Sequence, residues 1–570
     1  MSRIIGRRKS YLVDHTMDDV PIKDLKERSL GRSTIPTVSG RDGPPSYQAA
    51  VGRFVETASQ RRDRHNSHYV SYCIMFVIAV GMSSTLGIWP YLHEELVPST
   101  TKKSLGWVVA VNPLGQMLAA PVLGLWANKT GSIRAASITS VVIFMVANIM
   151  YALLAAFKNT GEMGPYYAMT VSRFILGVST AIASLCRTYM ASSTTLEERT
   201  FCLSMLSVGQ ATGLVVGPIL QAVLTLLIPD NVDTGVEWFQ WNKYTAPAWI
   251  SAVLGVFNLT ILLPFVFQEH NISKNERDFM TSSNGPENQV KLPSPDYQSV
   301  AGILYARFAI TFIAVVMEAI LVPLVMDQYA WSENRAIIAV AIAVSVAAAL
   351  NIIMYFLSGV LSRKFDERLL ALLLGLLPMM VGFFLFIPWG HGVIPMQQCD
   401  QVNVTDAVPS TTQTVQMQQL SHYQAGMLAD DADADEHCSD GCPPIQEWCY
   451  NTPQLPGIQL IIAFIIAIVG FPVAQGILLG IFSKILGPRP QGLWMGVIGS
   501  AGSFSRIIGP IIVTYIYEEF GTRWCFGILS LINAVALVEL ALLYRRLIPM
   551  KLPNREINAY DGPASPEHSS

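Results

Sequence analysis

Twelve runs of mostly apolar residues alternate with short polar stretches along the 570-residue chain. They lie near 70–90, 105–127, 136–157, 165–190, 201–228 and 245–267, and again near 301–325, 335–361, 369–388, 457–482, 492–517 and 524–543. A helix needs roughly 20 such residues to cross a hydrocarbon core of about 30 Å. The pattern therefore predicts an all-α membrane protein with twelve transmembrane helices. Twelve runs of this length in one chain argue against buried helices of a soluble core. The run 201–228 contains Gly209, Gly213, Gly217 and Pro218. Such residues are tolerated in membrane helices because neighbouring helices satisfy the freed backbone groups.

The short loops carry an uneven share of positive charge. Lys129, Arg134, Arg199, Arg363, Lys364, Arg368, Lys484 and Arg489 fall on one side, whereas Leu369 to Ser483 holds no Lys or Arg. Lys102 and Lys103 are exceptions on the other side. The positive-inside rule then puts both termini in the cytosol. The polar stretch Met1–His68, with Arg61, Arg62 and Arg64 near its end, reads as a cytosolic tail leading into a signal-anchor helix. Its Pro44-Pro-Ser-Tyr47 is a sequence that a WW domain can bind. Tyr297-Gln-Ser-Val300 matches a tyrosine sorting pattern.

Spacing between the halves points to a duplication. Gly124 and Gly359 open similar basic loops 235 residues apart, and Gly217-Pro218 and Gly509-Pro510 lie 292 apart. The long loop between the ninth and tenth runs supplies the extra register. The expected domains are a disordered tail 1–68, a six-helix bundle 69–268, a cytosolic linker 269–300, a second bundle 301–547 and a tail 548–570. Transporters built as two related halves place their site at mid-membrane between them.

Composition agrees with this reading. Only 14% of residues are charged and 51% are hydrophobic, against about 25% charged in soluble proteins. The net charge of −3 offers no global basic field for nucleic acid. No nucleotide loop, HExxH or nucleophile elbow is present, so neither an enzyme nor a cofactor is expected. The expected surroundings are membrane lipid and a small solute.

The polar loop 391–456 holds four of the eight cysteines, Cys399, Cys438, Cys442 and Cys449. An even cluster in a lumenal loop reads as two disulfides with three pairings open. A metal site is the weaker alternative, since His437 is the only histidine beside the cluster. Asn403-Val-Thr405 is an N-glycosylation sequon on the same side.

Charged residues inside spans are costly and are functional candidates by default. Arg173 sits about 12 Å into the fourth span, at 1.5 Å per residue. Arg506 is near the middle of the eleventh, and Glu318 about 25 Å up the seventh. Two arginines and one glutamate would leave a net positive pathway suited to an anion, because guanidinium stays charged and presents forked donors. Glu318 is a candidate proton carrier, since a carboxyl taken out of water can be held protonated. A structural use is the competing reading: either arginine could pair with Glu318 or cap backbone carbonyls. Arg187 and Arg307 are expected to snorkel towards the membrane surface. Gln116, Gln210 and Gln475 could line the cavity or bond between helices.

The loop Gly124-Leu-Trp-Ala-Asn128-Lys129-Thr-Gly131-Ser-Ile-Arg134 resembles the signature of the major facilitator superfamily. The resemblance implies twelve helices in two pseudo-symmetric six-helix bundles and a gate at this loop. Asn128 stands where that family carries an acidic residue. It can cap a helix but cannot form the ion pair, so a looser gate is expected. Arg173-Phe-Ile-Leu-Gly177 and Gly213-Leu-Val-Val-Gly217-Pro218 resemble further motifs of the fourth and fifth spans. Ile88–Leu92, Met326–Trp331 and Lys484–Gly492 resemble a lysosomal branch of the superfamily. That branch implies an endolysosomal membrane and a chloride passenger, which the spacing itself does not show. A proton-coupled or facilitative carrier of an organic solute is the alternative, and a non-transporting receptor or scaffold a third. If the topology is right, Asn403→Gln abolishes the glycan shift on a gel; a persistent shift would contradict it.

Overall fold

The computed structural model describes residues 58–85, 88–100, 102–228, 241–275, 293–397 and 439–550. Cys399, Asn403, Cys438 and the segment Pro44–Tyr47 lie outside the described residues. The first half comprises α1 (Ala58–Ser83), α2 (Lys102–Thr130), α3 (Arg134–Ala152), α4 (Gly164–Ser193), α5 (Arg199–Leu227) and α6 (Ala246–Ile261). The second comprises α7 (Tyr297–Tyr329), α8 (Glu333–Ser362), α9 (Glu367–Leu385) and α10 (Gly457–Leu486), followed by one run, Gly492–Leu542. Gly521, with φ 76° and ψ −174°, breaks that run into α11 and α12. Only glycine adopts such a conformation without strain, and it turns the chain back through the membrane.

Nine helices among the described residues are long and apolar enough to span by themselves. The polar head of α1 and the 16-residue length of α6 keep those two out of the count, and α11 and α12 are counted as one. Twelve crossings put the start of α1 and the end of α12 on one side, the terminal face; the other side is the far face.

The first helix begins at Ala58, inside the stretch expected to be a tail. Tertiary contacts hold this polar head. Arg64 is 2% exposed and donates to the Ser193 carbonyl (3.2 Å) and to Glu198 (3.1 Å). The expected linker is likewise fixed at its start. Glu269 accepts from the Arg134 backbone N–H (2.6 Å) and the Ser132 hydroxyl (2.9 Å), capping α3. Ser299 and Val300 are buried in the first turns of α7, so the tyrosine pattern there is a packed helix rather than an extended peptide.

Small residues bring helices to backbone contact, the usual device where lipid gives no hydrophobic drive to associate. Gly213 and Gly217 of α5 lie directly on the Phe76 and Val80 carbonyls of α1, and Gly177 of α4 on the Asn112 carbonyl of α2. The closest approach of the two halves is at the terminal face. A Cβ on Gly124 would collide with the Gly492 carbonyl, and one on Gly492 with that of Gly124. Beside them Asn128 Oδ1 accepts the Gly492 N–H at 2.8 Å, capping α11 from the other half. Lys129 is exposed, and Gly131, at φ 68°, ends α2. The second-half copy of this loop is capped from within: Asp366 accepts the Arg368 N–H (3.0 Å) and guanidinium (2.6 Å). The Arg368 hydrogen bond holds the Asp366 carboxyl below its usual range.

On the far face the cysteine loop carries, among the described residues, the disulfide Cys442–Cys449. The loop is stitched to the end of α7: Gln328 Oε1 accepts the Leu455 N–H (2.8 Å), and Tyr329 OH donates to the Leu455 carbonyl (2.8 Å). Trp448 fills the space a side chain would need at Gly521, edge-on to Tyr517 at 5.4 Å. Tyr517 OH donates to Asp327 at 2.8 Å.

Two outcomes test the seal between the halves. Asn128→Ala removes a cap and is expected to weaken it by ~1 kcal/mol, whereas Asn128→Asp keeps it. Gly124→Ala forces α2 and α11 apart, so maleimide should reach a cysteine at Ser500 several-fold faster from the terminal face. Unchanged labelling would place the seal elsewhere.

Candidate functional site

The two halves meet along α2–α11, α5–α8, α5–α10 and α4–α11. From Gly124 the α2–α11 contact runs inward through Ala120 against Gly496 and through the Met117 carbonyl, which accepts from Ser500 at 2.7 Å. It continues to Gln116, which accepts from Ser503 (3.0 Å) and Arg506 (2.9 Å). Gly480 and Gly476 of α10 pack on Thr200 and Ser204 of α5, and Gly359 of α8 on Ser204 and Phe201. Arg363 extends this contact with its guanidinium 3.7 Å from the Phe201 ring centroid.

Beyond Gln116 the arrangement changes. Gly509 of α11 faces Phe312, Val315 and Val316 of α7, not α2. Gly106 of α2, five turns before Gly124 on the same face, has no neighbour within 4 Å of a Cβ position. The halves thus close on the terminal face and separate towards the far face, leaving a crevice between them.

Three arginines converge on this crevice. Arg506 from α11 is held by Gln116, whose own Nε2 donates to the Thr180 carbonyl at 3.3 Å. Arg187 from α4 is 7% exposed and donates to Gln210 Oε1 of α5 at 3.2 Å. Arg307 from α7 lies in the space left by Gly502 of α11; a Cβ there would stand 3.4 Å from its Nε and Nη2. Arg187, Arg307 and Arg506 interact electrostatically with one another, and the buried Tyr355 of α8 is within electrostatic reach of Arg187 and Arg307. Glu318 is eleven residues above Arg307 on α7, three turns up the same face. It is exposed on α7 and within electrostatic reach of Arg506, a position that fits the crevice wall. Gln475 is half-buried on α10, next to Gly476.

The structure therefore brings together Arg506, Glu318, Gln116 and Gln210, and corrects two expectations. Arg187 and Arg307 do not snorkel: Arg187 is buried on a glutamine, and Arg307 reaches across to α11. Arg173, by contrast, stays within the first bundle. It donates to the Thr85 hydroxyl (3.0 Å) and carbonyl (3.2 Å) and stacks 4.7 Å from the Tyr151 ring centroid. This is the carbonyl-capping use, and it secures the broken end of α1. α4 tightens at Ala181, between Gly164–Thr180 and Ile182–Ser193, and its two arginines, fourteen residues apart, meet different neighbours. The signal for Arg307 was present in the sequence as its eleven-residue spacing from Glu318.

None of the three crevice arginines has an ion pair among the described residues, and no cluster of metal-ligating side chains occurs there. A guanidinium cannot discharge, and moving one out of water costs several kcal/mol. The crevice is thus rich in donors and poor in negative charge.

Comparison with known proteins agrees with this architecture. The family model of the Major Facilitator Superfamily matches residues 71–426 and 448–562. Major facilitator superfamily domain-containing protein 8 of Xenopus laevis is 34% identical over 520 residues, 89% of this chain and 96% of that protein. Among solved structures, the human organic anion transporter MFSD10 (TETRAN) aligns with a TM-score of 0.54 at 16% identity, over 84% of this chain and 99% of that one. The proton:xylose symporter XylE aligns with a TM-score of 0.56 at 13% identity, over 86% and 97%. With its twelve helices in two halves and a match over most of its length, the chain belongs to the major facilitator superfamily.

Proposed function

We propose that this chain is a transporter of a small anion in endolysosomal membranes, working by alternating access. The observation that carries the reading is the gathering of Arg187, Arg307 and Arg506 from both halves around one crevice, with Glu318 the nearby carboxylate. Positive charge in a wall of low dielectric raises the local concentration of anions. The terminal face is then cytosolic and the far face lumenal, in keeping with the excess of Lys and Arg in the terminal-face loops. The asymmetric closure fits one state of a rocking cycle, in which the Gly124–Gly492 contact breaks as the far ends come together.

The endolysosomal assignment rests on likeness to the Xenopus protein and on the sequence resemblance. Chloride, the passenger that this resemblance implies, is one anion the crevice suits. An organic anion is the second reading, favoured by Glu318: an exposed carboxyl beside Arg506 can bind and release a proton as the anion comes and goes. Gln116 and Gln210 orient the guanidinium groups, and Gln475 lines the wall. Arg173 acts at one remove, by holding the end of α1. A WW-domain protein at Pro44–Tyr47 would be a cytosolic partner.

Flux in vesicles containing only the purified protein tests this. Arg506→Gln is expected to lower anion flux about tenfold, since a charge-assisted hydrogen bond is worth about 1.5 kcal/mol or more. Arg173→Gln should lower thermal stability while leaving the ranking of transported anions intact. Wild-type vesicles that move no anion would leave a receptor or scaffold as the reading.

A further inference from the structure

The charge balance of the crevice narrows the kind of anion. Three guanidinium groups and one carboxylate leave an excess of two positive charges, and the neighbouring side chains are spent. Gln116 gives its oxygen to Arg506 and Ser503 and its nitrogen to Thr180. Gln210 gives its oxygen to Arg187. The half-buried Arg307 guanidinium, beside Gly502, donates to no acceptor among the described residues, which leaves its donors to be met by a ligand. Arg506 Nε is buried without a partner. Much unused donor capacity thus remains on three helices, α4, α7 and α11, with few acceptors to meet it.

From this, and resting on the transport reading above, we propose that the crevice takes a small dianionic oxyanion, a phosphate group or a pair of carboxylates, in preference to any monoanion. Such a ligand brings acceptors only and two negative charges, which match the surplus. Forked guanidinium donors suit the oxygens of carboxylate and phosphate. A monoanion would leave one positive charge unbalanced in a site drawn from both halves. Because Arg187 belongs to one half and Arg307 and Arg506 to the other, a dianion contacting all three also draws the halves together. Occupancy would then favour closure at the far face. Glu318 tunes the balance: its ionised form gives the excess of two, and its protonated form adds one more positive charge to hold the ligand.

The test is uptake into vesicles containing the purified protein, with succinate compared against its monomethyl ester, inorganic phosphate as the phosphate arm, and chloride and acetate as monoanions. Succinate or phosphate is expected to compete at least about tenfold better than the monoester or chloride, a difference of about 1.4 kcal/mol. Which of the two dianions wins tells carboxylate from phosphate. Arg307→Gln should shrink the preference for the dianion, and Arg307→Lys, which keeps the charge, should restore part of it. Thermal shifts of both variants with phosphate report binding if transport is lost. Chloride or monoester flux that dianions do not inhibit would overturn the dianion assignment and leave the transporter reading standing. Absence of flux for every anion, in protein that unfolds cooperatively, would sink both.

Discussion

Two glycine backbones in contact, Gly124 on α2 and Gly492 on α11, set the shape of everything above them. Their approach allows Asn128 to reach across and cap the first free N–H of α11. That contact fixes the register along which Ala120, Met117 and Gln116 meet Gly496, Ser500 and Ser503. A side chain on either glycine would prevent it. Where the small residues end, the halves diverge, and the crevice is the space that divergence leaves. An amide serves in the seal where the family carries an acid. It holds by a neutral hydrogen bond, a softer tie than a carboxylate at a helix N-terminus.

Against this seal stands electrostatic repulsion. Arg187 in one half repels Arg307 and Arg506 in the other, and against this stand the Arg506–Gln116 hydrogen bond and the carboxylate of Glu318. The balance between a tight neutral contact at one face and like-charge strain at mid-depth is poised, and an anion changes it directly. Binding and conformational preference are thus one quantity: a ligand shifts the equilibrium only by its difference in affinity for the two states.

Much of the fold was legible in the chain because crossing a bilayer imposes length and apolarity on every span. The basic loops and their spacing likewise exposed the two halves. What escaped was orientation within a helix. The apolar run of α7 shows no polar stripe that says which way an arginine turns. Arg307 looked like a residue near a membrane surface, yet the gap at Gly502 draws it inward. Arg173 and Arg187 share one apolar run, but fourteen residues separate them, about 21 Å along the helix at 1.5 Å per residue, so one meets Thr85 and the other Gln210. The polar head of α1 was missed for a similar reason. Its helicity comes from Arg64 meeting Ser193 and Glu198, partners far away in sequence.

The seating of Trp448 over Gly521 carries a consequence for biogenesis. The indole is made before α10, but Tyr517 and Gly521, on which it packs, are made only with the end of α11. The cysteine-bearing loop can therefore take its seat only after α11 has been made. The corner thus ties the order of synthesis to the order in which the far face is assembled.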